Sequence, residues 1–555
     1  MSGKCPVGIY GCVSLFTNVF EYSPNTRCIV FPMLDFDRLN RISFGPKESE
    51  ISRLGESGWS TYVQEQLSPG PEPEALEKLL HEKRYRWDTD YEQEADDPRP
   101  LRYYHQKGAQ TCVELWNYRI PKKEMRSPFH ETVITTWLKA MHSPWQLREI
   151  MVEFWHNHFN VSVDVKDLVA INLASYDKDT IRPHAFGNFR VFLEAVAKSP
   201  AMLFYLDNAS SNIGPANENY ARELFELHTL GKPHYLNHLY NEWDKVPGAT
   251  RGKAEGYIDE DVYEASRAFT GWTVGLPSLS QDERFSVPLS GDFYYLDNWH
   301  DHYQKRILGV EFPSHQGPMQ DGLQVLDLLA AHEGTARFVC GKICKWLVSD
   351  DPPKSIVKKA VRTWMKNLES PNQIALTLET ILLSAEFEAG LGSKIKRPNH
   401  MIISYARMLD ATLTPVAPLY SWCRKMGFDQ FSPPFPTGIP DGAAYWTSSD
   451  AVLKRWQTFP KLEEHNHPDD FFHYTILEKI PEEIASLDEL LDFLAACLRI
   501  GPLEVEIKEE LGTIFKEDLD HDSITQLRIK DPNTLEKRSR KMLRLMAMSP
   551  EFQKR

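Results

Sequence analysis

The chain has 555 residues, 42% of them hydrophobic and 12% aromatic, which exceeds what one core usually supports and excludes a disordered protein. Asp and Glu number 78 against 63 Lys and Arg, a formal charge of −15, and no basic stripe stands out, so neither nucleic acid nor an anionic membrane is an expected partner. Eight scattered cysteines without a Cys-x-x-Cys pair, no convincing signal peptide and no uncharged apolar run of about 18 residues point to a soluble, cytoplasmic protein with buried free thiols.

In chain order, residues 1–35 lack a helical period and read as an extension. From Asp35 the pattern turns helical, with two helices broken at Gly45-Pro46, a short one over 71–83 and an acidic, Pro-punctuated linker at 87–100. Two long helices follow, His130–Met141 and Pro144–His156, the second opened by Ser143-Pro144 in cap and first-turn positions. Helices are then expected over 164–173, 189–197 and 200–206. Asn217 and Gly231 bound the helix NENYARELFELHTLG, and residues 232–258 read as loop before a helix at 259–269. Residues 284–298 form the one predicted β-hairpin, with Val287 and Leu289 facing Phe293 and Tyr295 across Ser290-Gly291. Further helices are predicted at 319–331, 334–347, 354–367 and 372–383. The similar endings LLSAEFE and MAMSPEFQKR suggest a helical module used twice, around 319–390 and 470–555. Between them the Pro-rich stretch 431–441 has the character of a loop that covers a site. The expectation is a mainly α, multi-helical protein of two or three lobes, divided as 1–35, 36–120, 121–318, 319–460 and 461–555.

Three polar clusters carry the chemistry. On 217–231, Glu218, Arg222 and Glu226 share one stripe, Asn219 and Glu223 the adjoining one, and Leu224, Phe225 and His228 lie opposite. Upstream, Glu153, His156 and His158 sit among large aromatics; downstream stand Trp299, His300, Asp301 and His302. Burying such groups is costly unless they pair or bind a cation.

These strings carry a resemblance. FWHNHF at 154–159, SPAMLFYLDN at 199–208, NENYARELFELHTLG at 217–231, RAFTGW at 267–272, His300-Asp301 with Lys305 and Leu308-Gly309, and FPTGIPDGAAYW at 435–446 occur in one order. Together they resemble the large, mostly bacterial family known only as domain of unknown function number eighteen hundred, from about Leu39 to the C-terminus. The resemblance implies membership and brings no activity.

Three readings stay open. In the first, Glu153, His156, His158, Glu226 and His228 hold a metal ion, iron favoured over zinc, in an oxidative enzyme acting on a small or medium organic substrate. His156 and His158 are two residues apart, so they converge only if the helix ends near Asn157. In the second, the chain is a hydrolase or lyase, either of a zinc type in which the metal activates water or metal-free, the latter using Glu223 or Glu226, with a carboxyl pKa raised by burial, and His300 oriented by Asp301, while Arg222 and Lys305 bind a substrate anion. In the third, a non-catalytic scaffold uses the clusters as a polar network that fixes helix packing.

Overall fold

The computed structural model describes residues 33–82, 103–108, 110–116, 122–214, 216–240, 242–276, 287–517 and 524–555. The extension before residue 33, the acidic stretch at 87–100 and residues 284–286 of the expected hairpin lie outside them.

The chain is mainly helical. Where the 3.6-residue period is strong, observed bounds fall within two or three residues of those expected: Phe189–Lys198, Asp259–Ala268, Gln320–Ala331, Glu333–Leu347, Lys354–Lys366 and Gln373–Leu382. Local chemistry explains several starts. Asn188 accepts hydrogen bonds from the backbone N–H groups of Arg190 and Val191, closing the first turn of 189–198. The echoed endings share a device: Ser384 and Ser549 each cap a short helix through the N–H three residues on, and the residues so held, Phe387 and Phe552, are buried.

Buried apolar side chains form one continuous cluster from Phe36 to Phe552, with a small satellite of Leu76, Leu80, Ile134 and Leu138. Through that core runs the helix Gln146–His158, in which only Arg148 and Asn157 escape burial. A helix covered on all sides must satisfy its polar residues from its neighbours. Two turns are wound as π-helix, Tyr176–Ile181 and Leu224–His228. The expected single helix over 217–231 is therefore an α-helix, Glu218–Glu223, continued by a wider turn.

Among the described residues there are three two-stranded antiparallel sheets. The strand Phe293–Tyr295 pairs with Trp272–Val274 rather than with residues 287–289, so the expected hairpin partner is corrected to a segment before the loop. The Lys305 and Leu308-Gly309 motif is itself a tight hairpin: Ile307 pairs with Val310, and the two turn residues have φ of 52° and 74°. A Cβ at Gly309 would meet the Ala249 carbonyl oxygen at 2.1 Å, so glycine is required there. No helix of the described residues is long and apolar enough to cross a membrane.

Candidate functional site

The condition for convergence is not met. The helix continues through His158, so Glu153 and His156 project to one side and His158 to another, and each finds its own partners. Glu153 accepts from Arg397 Nη1 at 3.0 Å, Asn399 Nδ2 at 3.1 Å and His400 Nε2 at 2.9 Å. Burial pushes its carboxyl up, but His400 and Arg397 outweigh it and hold the group down at about 2. Arg555 donates to Nδ1 of His400 at 3.2 Å, so the His400 ring is neutral, with its proton on Nε2.

His156 is held differently. Its Nε2 lies 2.9 Å from Oδ1 of Asp177, whose Oδ2 accepts from Arg182 Nε at 2.7 Å. Arg182 in turn grips both oxygens of Glu149 at 2.9 and 2.7 Å. In the chain Glu149–Arg182–Asp177–His156 the two carboxylates and the imidazole are buried and Arg182 is largely covered, and the chain orients the imidazole. In the neutral ring the nitrogen facing the carboxylate carries the proton, and Nδ1 then holds the lone pair. That Nδ1 is buried without a protein partner.

Beside it lies a cavity of about 30 Å³, room for about two waters. Its wall includes Thr136, Glu153, His156, Asn157, Asn160 and Arg397, under a roof supplied by Phe428 to Ile439. Three of these wall residues carry a buried polar atom with no protein partner: Thr136 Oγ1, His156 Nδ1 and Arg397 Nε. The roof is the Pro-rich loop, pinned by the FWHNHF segment. Asn157 donates to the Ile439 carbonyl at 3.0 Å and accepts from its N–H at 2.7 Å, and Asn160 donates to the Phe435 carbonyl at 3.2 Å. Gly438, at φ 76°, presses on Asn157 so closely that a Cβ would stand 2.6 Å from its oxygens. Phe435 at the loop's crest is 66% exposed, which leaves the cover's outer edge free.

The other candidates are distributed elsewhere. His158 donates through Nε2 to the His228 carbonyl at 3.1 Å and accepts from the half-buried Lys342 ammonium at 2.9 Å. Burial, with Lys342 nearby, pushes the His158 imidazole well down and the His228 imidazole to about 3, and burial lowers Lys342 to about 8. Glu226 pairs with Lys232 at 3.0 Å. Arg222 joins Glu218 and Asp259. Glu223 is half-buried and has neither a hydrogen-bond nor an ion-pair partner among the described residues. Its carboxyl is raised by burial and by Glu226, as expected from the sequence.

The 299–306 cluster is closed. His300 Nδ1 faces the Thr270 carbonyl at 2.9 Å and Nε2 faces Asp321 at 3.2 Å, so both nitrogens are committed. Asp301 is bound by Arg267 through both oxygens, at 2.7 and 3.0 Å, and does not orient His300. Lys305 donates to Asp321 at 2.6 Å and to the carbonyls of Asp301 and Tyr303. The expected His300–Asp301 acid–base pair is thereby corrected: His300 keeps no lone pair for a substrate, and Lys305 no free donor. No three His, Cys, Asp or Glu side chains of the described residues gather as a group able to hold a metal ion.

Sequence reasoning missed Asp177, Arg182, Arg397 and His400. One signal was present: Glu149, Glu153 and His156 follow an i, i+4, i+7 stripe on an otherwise apolar helix, a face that demands cationic partners.

A family described as a protein of unknown function, DUF1800, matches residues 38–554. Comparisons with curated proteins and with solved structures give no match.

Proposed function

We propose, for a chain that belongs to the DUF1800 family, an acid–base enzyme in which His156 takes a proton from a water or a small polar substrate held beneath the 428–439 loop. One observation carries the reading: His156 has its Nε2 committed to Asp177 while its buried Nδ1 stands unpartnered in a cavity wall. An imidazole oriented by a carboxylate through one nitrogen presents the other as a general base. Arg397 supplies the complementary group, a cationic N–H in the same wall that stabilises negative charge as it develops. Hydrolysis and elimination both fit this pair. The cavity holds only water-sized groups, so the loop must lift at Phe435 for a larger substrate to enter.

The test is a screen of the purified protein against chromogenic esters, lactones and glycosides, followed by His156→Asn and Asp177→Asn in any reaction found. Loss of His156 is expected to lower kcat about 100-fold or more, with the thermal midpoint nearly kept. Activity that survives His156→Asn unchanged sinks the reading. Near-stoichiometric iron in the purified protein, lost in His156→Ala, would restore the metal-dependent oxidative reading in its place, and zinc lost in the same way a metal-assisted hydrolytic one.

A further inference from the structure

Lys342 takes no part in the chemistry at His156. It lies on the helix Glu333–Leu347 and meets another side of the helix Gln146–His158, where His158 receives it. Lys342, His158 and His228 line no part of the cavity at His156.

Three nitrogen side chains meet there without an acid. Lys342 Nζ donates to His158 Nδ1 at 2.9 Å, and His158 Nε2 donates to the His228 carbonyl at 3.1 Å, so His158 is a neutral ring fixed at both nitrogens. That carbonyl belongs to the last residue of the π-helical turn Leu224–His228, and such turns recur at functional sites. The His228 ring lies 6.4 Å from that of His158, centroid to centroid, and its Nδ1 is buried with no protein partner. The Phe338 ring is centred 5.4 Å from Nζ. Among the described residues no carboxylate pairs with Lys342, and burial alone lowers its ammonium to about 8.

An ammonium under apolar cover and without a counter-ion gives up its proton more readily than a solvated one, and the amine left behind is a nucleophile. Lys342 also has the geometry of an activated nucleophile, a reacting atom within hydrogen-bond reach of a ring that a third group orients. Lys396 is the useful contrast. It donates to Ser404 at 3.0 Å and has no carboxylate partner among the described residues, but it is sealed at 2% exposure. Lys342 is half-buried, so part of it reaches solvent.

We infer that Lys342 is a nucleophilic amine that forms an imine with a small aldehyde, the least hindered carbonyl class for a half-buried nitrogen. The Nζ lone pair attacks the carbonyl carbon and a C–N bond forms; nitrogen loses a proton and the carbonyl oxygen gains one, giving a carbinolamine. That oxygen leaves with a second proton as water, and amine plus aldehyde have become imine plus one water, with no change of oxidation state. His158 is a positioning residue that holds Nζ, and the unpartnered Nδ1 of His228 is available to the carbinolamine hydroxyl.

The experiment is reductive trapping of the full chain with limiting acetaldehyde and cyanoborohydride at about pH 7.5, mapped by peptide mass spectrometry. Ethylation at Lys342 is expected to exceed that at any other lysine about tenfold or more, because solvated lysines hold far less free amine at that pH. Lys396 is expected to stay unlabelled. His158→Leu should lower labelling of Lys342 about tenfold, and His158→Gln, which keeps an acceptor for Nζ, should restore most of it. Thermal midpoints identify a misfolded variant, and the map of the parent chain decides without any variant. Labelling at Lys342 no greater than at exposed lysines, or indifferent to Leu at position 158, overturns the inference; neither result bears on the reading of His156.

Discussion

Two histidines of this chain stand against an aspartate in buried surroundings, and the two regions end in different states. Around His300 every polar atom of the knot is used: Asp321 and Thr270 take both ring nitrogens, Lys305 spends three donors, and Arg267 closes Asp301. Around His156 the same kind of pair leaves Nδ1 unpartnered beside a cavity, with Thr136 and Arg397 open in the same wall. A His–Asp pair stabilises structure when both nitrogens are bound, and becomes available for chemistry when one lone pair is left facing space.

The contrast can be broken at its closed side first. In Asp321→Ala, Lys305, whose side chain is wholly buried, loses its carboxylate at 2.6 Å and keeps only Asp301 at 4.0 Å, itself held by Arg267; unfolding in urea is expected to show a loss of about 3–5 kcal/mol, because a poorly compensated buried charge remains. Any activity tied to His156 should persist in whatever fraction stays folded. A loss under about 1 kcal/mol would mean that the knot is not the tightly coupled unit described here.

A second measurement separates compensated from uncompensated carboxylates. Glu153, held at about 2, contributes stability that is fully present above its unfolded pKa and lost as pH falls through 2. An acid titration followed by fluorescence should therefore steepen below about pH 4.5, and Glu153→Gln should flatten that limb, a difference of about 3 kcal/mol at neutral pH. His228, lowered to about 3, acts in the same direction, its contribution falling away between about pH 6.5 and 3.

The smallest effect carries the opposite sign. Glu223 has a raised carboxyl pKa and no partner, so its favourable contribution exists when it is protonated and is lost as pH rises through the folded pKa. Glu223→Gln should then be slightly more stable than the parent near pH 7, by a few tenths of a kcal/mol after solvent screening. The gap should close near pH 4; a destabilised variant at pH 7 would reveal an ion pair for Glu223 instead.

The legible part of the site was the helix face itself. The i, i+3 spacing of Glu153 and His156 puts them on one side of a helix, and the 431–441 loop reads as a cover, because spacing and proline content are local properties. Their partners were not legible. Arg397 and His400 lie 244 and 247 residues from Glu153 along the chain, and nothing in the local pattern of either marks the other. Asp177 sits in a widened turn that its sequence, YDKDTI, does not advertise. The Leu308-Gly309 motif read as part of a chemical signature is a turn requirement.

What this sequence determined alone is its class and most of its helix boundaries, since apolar periodicity, caps such as Asn188 and stops such as Gly231 act within a few residues. Which buried charges cancel and which are left over was decided by the tertiary structure. Ion pairing depends on distances across the packed core, and the single change from a converging to a diverging His156 and His158 came from one helix running two residues further than expected.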